Sequence, residues 1–103
     1  MHARLTTAQG RPGEIDAARR LWEDEILPAA RQQPAFRGAV VIGDPTSGKT
    51  YSITVWESAE AERASMNSDF MRTVLAKAAA LVVSPPVQEA YEVIVYDRGP
   101  SSS

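Results

Sequence analysis

Residues 43–56 read GDPTSGKTYSITVW, and two incompatible structures compete for this stretch. Its first eight residues, Gly43–Thr50, match the G-x-x-x-x-G-K-[ST] pattern of a phosphate-binding loop without a mismatch. Such a loop needs a helix to begin at its lysine, because the helix N-terminus then faces the anion. The residues that follow Thr50 are instead β-branched and aromatic in strict alternation, which predicts a strand. We therefore interpret Gly43–Thr50 as a turn and expect no nucleotide-binding residue in it.

A second strand precedes this turn. Residues 38–43 form a short apolar run bounded by glycines, and the alternating strand follows at 49–57. The turn-forming residues Asp44, Pro45 and Gly48 lie between them. The two strands are therefore predicted to pair as an antiparallel hairpin.

Helical patterns flank the hairpin on both sides. Apolar residues recur every three or four positions across 13–33, although Pro28 is expected to kink or end that helix. After the hairpin, Ser58 is expected to cap a short helix at 59–66, and a longer helix is predicted at 69–82.

Alternating segments at 2–8 and 89–97 predict the two remaining strands, so the element order is β-α-β-β-α-β. This order is typical of the ferredoxin-like α+β fold, a four-stranded antiparallel sheet with helices on one face. We expect a single domain over residues 1–98 and a loose C-terminal tail over 99–103.

The composition of this 103-residue chain argues against several classes of function. The absence of cysteine removes thiolate chemistry and cysteine-type zinc sites, and the one histidine, His2, lies next to the start. A net charge of −2 with scattered Lys and Arg provides no basic surface for nucleic acid or an anionic membrane. No apolar run approaches a membrane span, and residues 1–20 lack the apolar core of a signal peptide. We therefore expect a cytoplasmic protein with no metal, no nucleic-acid partner and no membrane partner.

The chain resembles the antibiotic-biosynthesis-monooxygenase-like family. The resemblance is carried by FRG at 36–38, SGK at 47–49, TVWES at 54–58 and YEV at 91–93, and it spans residues 2–97. It implies a homodimer in which the sheets of two subunits pack face to face and close a dimeric α+β barrel. It also implies a pocket between the sheet and the helices of each subunit.

Known members of this family include cofactor-free oxygenases of quinols and anthrone-type polyketides, and haem-degrading enzymes. The haem-degrading branch carries an asparagine on the first strand, then a tryptophan and a histidine on the second helical segment. The resemblance places these positions at Ala3, Ser65 and Leu75, so none of the three is retained. Because the histidine ligates the iron in that branch, we expect no haem and no other cofactor.

The implied pocket and interface give two sets of candidate residues. The pocket-lining candidates lie on the first strand and the helices: Thr7, Trp22, Ser65, Met66, Asn67, Phe70 and Leu75. The candidates for the dimer interface are Arg4, Trp56 and Tyr96, because the alternation of Arg4 with Leu5 suggests that Arg4 faces the partner. No catalytic residue is identified, since the chain offers no cysteine, no internal histidine and no evident base.

Two functions stay open at this point, beside nucleotide hydrolysis through Gly43–Thr50, which is kept only because the motif is literal. The first is a cofactor-free monooxygenase acting on a small aromatic quinol or a polyketide-like substrate. The second is a non-catalytic dimer of the same fold that binds a small ligand or regulates another process. Oxygenation without a cofactor requires an electron-rich substrate anion, polar groups that stabilise it and exclusion of water. The polar groups of the pocket therefore distinguish the two functions.

Overall fold

The computed structural model describes residues 1–100, so the tail predicted at 99–103 falls mostly outside the described residues. The strands and helices follow in this order: β1 (His2–Gln9), α1 (Ile15–Leu21), a π-helical turn (Trp22–Ile26), α2 (Leu27–Arg31), β2 (Phe36–Gly43), β3 (Lys49–Trp56), α3 (Ala59–Met66), α4 (Asp69–Ala79) and β4 (Val87–Glu92).

The four strands form one sheet in the order β2-β3-β1-β4, and every neighbouring pair is antiparallel. The first strand therefore lies inside the sheet, between the hairpin partner β3 and the last strand. The predicted ferredoxin-like α+β fold is confirmed.

The register of the strands divides the sheet into two faces. Arg4 lies opposite Thr54, and Thr6 lies opposite Ser52. Side chains in alternate positions share a face, and these four line a cavity beneath the helices. We call the opposite side the outer face; it carries a set of apolar residues, Leu5, Val40, Ile42, Ile53, Val87 and Tyr91.

The first helical segment passes through Pro28 without ending. The backbone N–H of Leu27 donates to the carbonyl of Trp22, five residues earlier, which is the bond of a π-helical turn. Pro28 has no N–H, and in a regular α-helix its ring would clash with the carbonyl four residues before it. The wider turn comes directly before the proline, so α1 and α2 continue through it where the sequence predicted a kink or a stop.

The last strand is displaced from its predicted range of 89–97. It pairs with β1 only as far as Glu92, opposite His2, because β1 begins there and offers no further partner. The N–H of Val93 still donates to the carbonyl of Met1 at 3.0 Å. Tyr96 then lies beyond the strand, and its hydroxyl comes within 3.3 Å of the position that a Cβ on Gly38 would occupy.

The Gly43–Thr50 segment joins β2 and β3, so the predicted turn is confirmed. The N–H of Asp44 donates to the carbonyl of Lys49 at 2.9 Å, and the N–H of Gly48 donates to the carbonyl of Asp44 at 2.8 Å. The Asp44 carboxylate accepts from the N–H of Thr46 at 2.9 Å and from the hydroxyl of Ser47 at 3.1 Å.

These bonds explain why the segment does not form a phosphate cradle. The hydrogen bond from the Thr46 backbone, helped by that from Ser47, lowers the pKa of Asp44 below its ordinary value and so favours the carboxylate. Backbone donors that would face a phosphate are engaged within the turn, and a negative charge lies at its centre.

Gly48 and Gly13 offer a matched test of this turn, since both adopt a positive φ, +81° and +84°. A Cβ on Gly48 would lie 2.6 Å from the carbonyl oxygen of Gly10 and 2.7 Å from backbone atoms of Arg11, whereas one on Gly13 meets nothing within 4 Å. In both Gly→Ala variants the new side chain adopts a left-handed backbone conformation, which costs about 1–2 kcal/mol of unfolding free energy. We expect Gly48→Ala to lose about 1–3 kcal/mol more unfolding free energy than Gly13→Ala, because only it forces backbone atoms apart. Urea denaturation measures the difference, and equal losses would contradict the packing described.

Candidate functional site

A cavity of about 120 Å³ lies between the inner face of the sheet and the helices. Its helical wall is apolar because the inward stripes of the helices consist of aliphatic and aromatic side chains. The larger apolar side chains that line that wall are Ile15, Leu21, Trp22, Ile26, Phe70, Met71, Val74 and Leu75.

The sheet side of the cavity is polar. Alternate residues of β3, Thr50, Ser52 and Thr54, bring three hydroxyls to the inner face, and β1 adds Thr6 beside them. Thr54 accepts a hydrogen bond from the indole Nε1 of Trp56 at 3.1 Å. Within residues 1–100, the hydroxyls of Thr6, Thr50 and Ser52 have no hydrogen bond to another protein group, so they remain available to a bound molecule.

One end of the cavity is closed by a buried ion pair. The side chains of Arg4 and Glu62 are 4% and 5% exposed, and the Nε of Arg4 donates to Oε1 of Glu62 at 3.0 Å. The Nη2 of Arg4 also donates to the Glu62 carbonyl at 2.9 Å and to the hydroxyl of Ser65. Ser65 in turn donates to the same Glu62 carbonyl at 2.7 Å. The ion pair therefore connects β1 to α3 at this closed end of the cavity.

The guanidinium of Arg4 stays charged in this setting. Burial lowers the pKa of Arg4 from its ordinary value, while the hydrogen bond and the negative charge of Glu62 oppose the shift. Arginine does not lose its proton in proteins at neutral pH. The centre of the guanidinium also lies 5.8 Å from the ring centroid of Trp56, in the range of a cation–π contact.

The opposite end of the cavity, where β1 ends and β3 begins, has exposed lining residues, and we call it the mouth. The side chains of Arg11 and Glu14 border this mouth, form an ion pair at 3.6 Å and are about half exposed. The charged groups of Arg11 and Glu14 at the mouth therefore contact solvent, whereas those of Arg4 and Glu62 at the deep end are buried.

The structure brings some of the sequence candidates to the cavity and not others. Trp22, Phe70 and Leu75 line it, whereas Ser65 lies buried behind it as a partner of Arg4. Met66 and Asn67 do not line it; Asn67 is exposed and its side chain donates to the Arg63 carbonyl at 3.4 Å.

Three candidates occupy the face opposite to the one expected. Arg4 and Trp56, expected at the dimer interface, are 3% and 2% exposed and face the helices within one subunit. Thr7, expected in the pocket, pairs with Tyr51 on the outer face. Alternation separates the two sets of side chains but does not say which set meets the helices, and the buried partner Glu62 allows a charged side chain to face inward. Tyr96, the third interface candidate, lies beyond β4 with its hydroxyl beside Gly38.

The sequence interpretation missed Glu62 and the hydroxyls of Thr6, Thr50 and Ser52. The spacing of Glu62 and Ser65 is one helical turn, so both fall on the same side of a helix. Ser65 was among the pocket candidates, but nothing in the sequence identified Glu62 as a buried residue, and only the position of Arg4 in the sheet reveals that this side of the helix is buried.

The comparisons with known proteins bear on the fold. No family model matches the chain, and the search of curated proteins finds no match. A protein of unknown function from Nitrosomonas europaea matches with a TM-score of 0.74 at 20% identity, covering 97% of this chain and 95% of that one. A structure named antibiotic biosynthesis monooxygenase matches with a TM-score of 0.72 at 14% identity, covering 92% of this chain and 100% of that one.

SnoaB from Streptomyces nogalater, a cofactor-independent oxygenase, matches with a TM-score of 0.73 at 10% identity, covering 92% of this chain and 94% of that one. The fold is that of the antibiotic biosynthesis monooxygenases. At these identities the likeness concerns the backbone, so the chemistry of this monooxygenase-like fold must be argued from its own residues.

Two features are absent from residues 1–100, a metal-binding cluster and a membrane-spanning helix. No group of three or more His, Asp or Glu side chains is arranged to hold a metal ion. No helix in this part of the chain has the length and apolar character needed to cross a bilayer.

The buried ion pair predicts a specific pattern of stability. Arg4→Met should lower the free energy of unfolding by about 3–5 kcal/mol, because it leaves the Glu62 carboxylate buried without its partner. Arg4→Met/Glu62→Leu should recover most of that loss, since apolar side chains replace both charges. Arg37 and Glu57 form an exposed pair at 3.5 Å, so Arg37→Met is the control and should change stability by about 0.5 kcal/mol or less. Chemical denaturation of the four proteins checks the pattern; a double variant as unstable as Arg4→Met would refute it.

Proposed function

We propose that the chain is a cofactor-free monooxygenase that oxidises a small aromatic quinol or a polyketide-like relative of one. The single observation that carries this proposal is the two-sided cavity. An apolar wall with Trp22 and Phe70 suits the faces of an aromatic ring, while the unpartnered hydroxyls of Thr6, Thr50 and Ser52 suit its oxygen atoms.

The chemistry requires little of the protein beyond binding and electrostatics. An ionised quinol is electron-rich enough to give electrons to molecular oxygen directly. One oxygen atom of molecular oxygen is then incorporated at a ring carbon and the quinol becomes a hydroxyquinone. The other oxygen atom leaves as water with two of the substrate's hydrogens, so the substrate supplies all four electrons. The protein stabilises the substrate anion through hydrogen-bond donors and keeps bulk water from the reacting carbon.

The size of the cavity narrows the substrate class. Its volume of about 120 Å³ is close to that of an apolar protein cavity of about 150 Å³ that takes up benzene. The enclosed part therefore fits one aromatic ring, and a larger polycyclic substrate would extend through the mouth near Gly10. This favours a small quinol over an anthrone-type molecule.

Haem degradation receives no support from the residues. Leu75, the position that the family resemblance assigns to the iron-ligating histidine, lines the cavity as an aliphatic side chain. Ser65, at the position assigned to the tryptophan, is engaged with Arg4 and Glu62.

The second candidate function is a dimer that binds a small aromatic ligand without changing it. One observation favours it: the acidic side chain that borders the cavity, Glu14, lies at the exposed mouth in an ion pair with Arg11. A substrate in the deep part of the cavity would therefore lose its proton to solvent or to a buried water rather than to a carboxylate beside it.

We also propose that two copies assemble through the outer face. Val40, Ile42, Val87 and Tyr91 on that face are each more than half exposed in the single chain. An apolar surface of this kind on a small domain favours burial against a partner. A second copy presents the same surface, and packing of the two outer faces would form the dimeric barrel that the family resemblance implies.

The enzyme proposal predicts oxygen uptake by the metal-free protein with hydroquinones, and a product that carries one atom from labelled oxygen gas. Ala78 lines the cavity, whereas Ala76, two residues earlier on α4, is exposed and does not line it. Ala78→Phe should fill the cavity and reduce uptake by more than about tenfold, a loss of at least about 1.4 kcal/mol of transition-state stabilisation. Ala76→Phe should leave uptake unchanged. If wild-type protein consumes no oxygen with any hydroquinone or anthrone, the enzyme proposal fails and the ligand-binding candidate replaces it.

The assembly proposal predicts that Val40→Glu produces a monomer, because a carboxylate on each copy would be buried without a partner. Val40 is 51% exposed in the single chain; Val83 is 57% exposed but lies off the sheet, so Val83→Glu is its matched control and should remain dimeric. Sedimentation velocity at several concentrations distinguishes these outcomes. A wild-type protein that sediments as a monomer would overturn the assembly proposal.

A further inference from the structure

Arg4 has one nitrogen that the buried network does not use. An arginine presents five N–H donors, and Glu62 and Ser65 engage those of Nε and Nη2. Within residues 1–100, Nη1 makes no hydrogen bond. Every fully enclosed side-chain nitrogen or oxygen in this part of the chain has a partner, so Nη1 is not enclosed. Arg4 is 3% exposed and lines the cavity, so a molecule at the deep end of the cavity can approach this side chain.

We propose that Arg4 selects the ligand by donating from Nη1 to a phenolic or keto oxygen at the deep end of the cavity. This inference rests on the proposed aromatic ligand and names the group by which that ligand is recognised. The ligand therefore enters the cavity with this oxygen first, because Arg4 lies at the end of the cavity opposite to the mouth near Gly10.

The donor is held in place before any ligand arrives. Three hydrogen bonds to Glu62 and Ser65 fix the guanidinium plane, and the Trp56 ring lies beside it. A ligand oxygen therefore gains a charge-assisted hydrogen bond without ordering a flexible side chain. The ring behind that oxygen meets Trp22 and Ile26.

The charge of the site favours a phenol or ketone over a carboxylic acid. Glu62 already neutralises Arg4 at 3.0 Å, so the deep end holds no net charge. A carboxylate ligand would bring a localised, strongly hydrated negative charge close to a second carboxylate in an apolar enclosure. A phenolic or keto oxygen accepts the same hydrogen bond without that cost.

The test compares three single-ring probes of similar shape on the wild-type protein: p-cresol, toluene and p-toluate. Isothermal titration gives a dissociation constant for each. We expect p-cresol to bind at least about tenfold more tightly than toluene, from one charge-assisted hydrogen bond, and more tightly than p-toluate. Equal binding of p-cresol and toluene, tighter binding of p-toluate, or binding of none of the three would overturn the inference.

Two double variants locate the effect at Arg4. Arg4→Met/Glu62→Leu removes the buried pair without leaving a lone charge, and it should bind p-cresol and toluene equally. Arg37→Met/Glu57→Leu makes the same change of composition at an exposed pair outside the cavity, and it should keep the wild-type preference. A cavity variant that retains the preference would assign it to another group and overturn the inference. If that variant does not fold, the wild-type comparison decides by itself.

The outcomes also separate this inference from the proposed enzyme. If the protein prefers p-cresol but consumes no oxygen with any hydroquinone, Arg4 selects the ligand of a binding protein and the enzyme proposal is wrong. Oxygen uptake without the preference keeps the enzyme and removes the role of Arg4.

Discussion

The arrangement of the whole site depends on the buried contact between Arg4 and Glu62. A guanidinium on the inner face of a sheet is costly unless a carboxylate meets it there. Glu62 does so from α3, and Ser65 completes the set one helical turn later. The contact fixes which side of β1 meets the helices. It thereby brings the hydroxyls of Thr6 and Ser52 into the cavity and leaves Leu5 on the outer face.

The sequence predicted the order and type of the elements well, because local physics decides them. Alternation along 49–57 and the capping serine Ser58 are short-range signals, and Ser58 caps its helix in the structure. The strand predicted at 89–97 was displaced because its end depends on β1, which stops pairing at His2. That limit is set by a distant segment, so no local pattern contains it.

The site was predicted less well, for a related reason. Helix residues such as Trp22 and Phe70 belong to apolar stripes, and a stripe identifies its own inward side. A strand such as β1, which has polar residues in both of its alternating sets, does not show which of its faces is buried. Arg4 was assigned to the partner because it alternates with Leu5, but alternation does not say which set of side chains meets the helices. Glu62, which lies 58 residues away in sequence, decides it.

The π-helical turn at Trp22–Ile26 has a consequence for the phase of the first helical segment. Its inward residues Ala18, Trp22, Ile26 and Ala30 are spaced four apart, and in a regular α-helix that spacing rotates by about 40° at each step. Over three steps the rotation reaches about 120°, enough to carry Ala30 away from the cavity. The extra residue in the wide turn takes back about 100°, and Ala30 is 2% exposed. A sequence alignment of this segment with a regular α-helix therefore needs a one-residue gap at the wide turn. Without that gap, the inward side chains after Trp22 would be matched to solvent-facing positions.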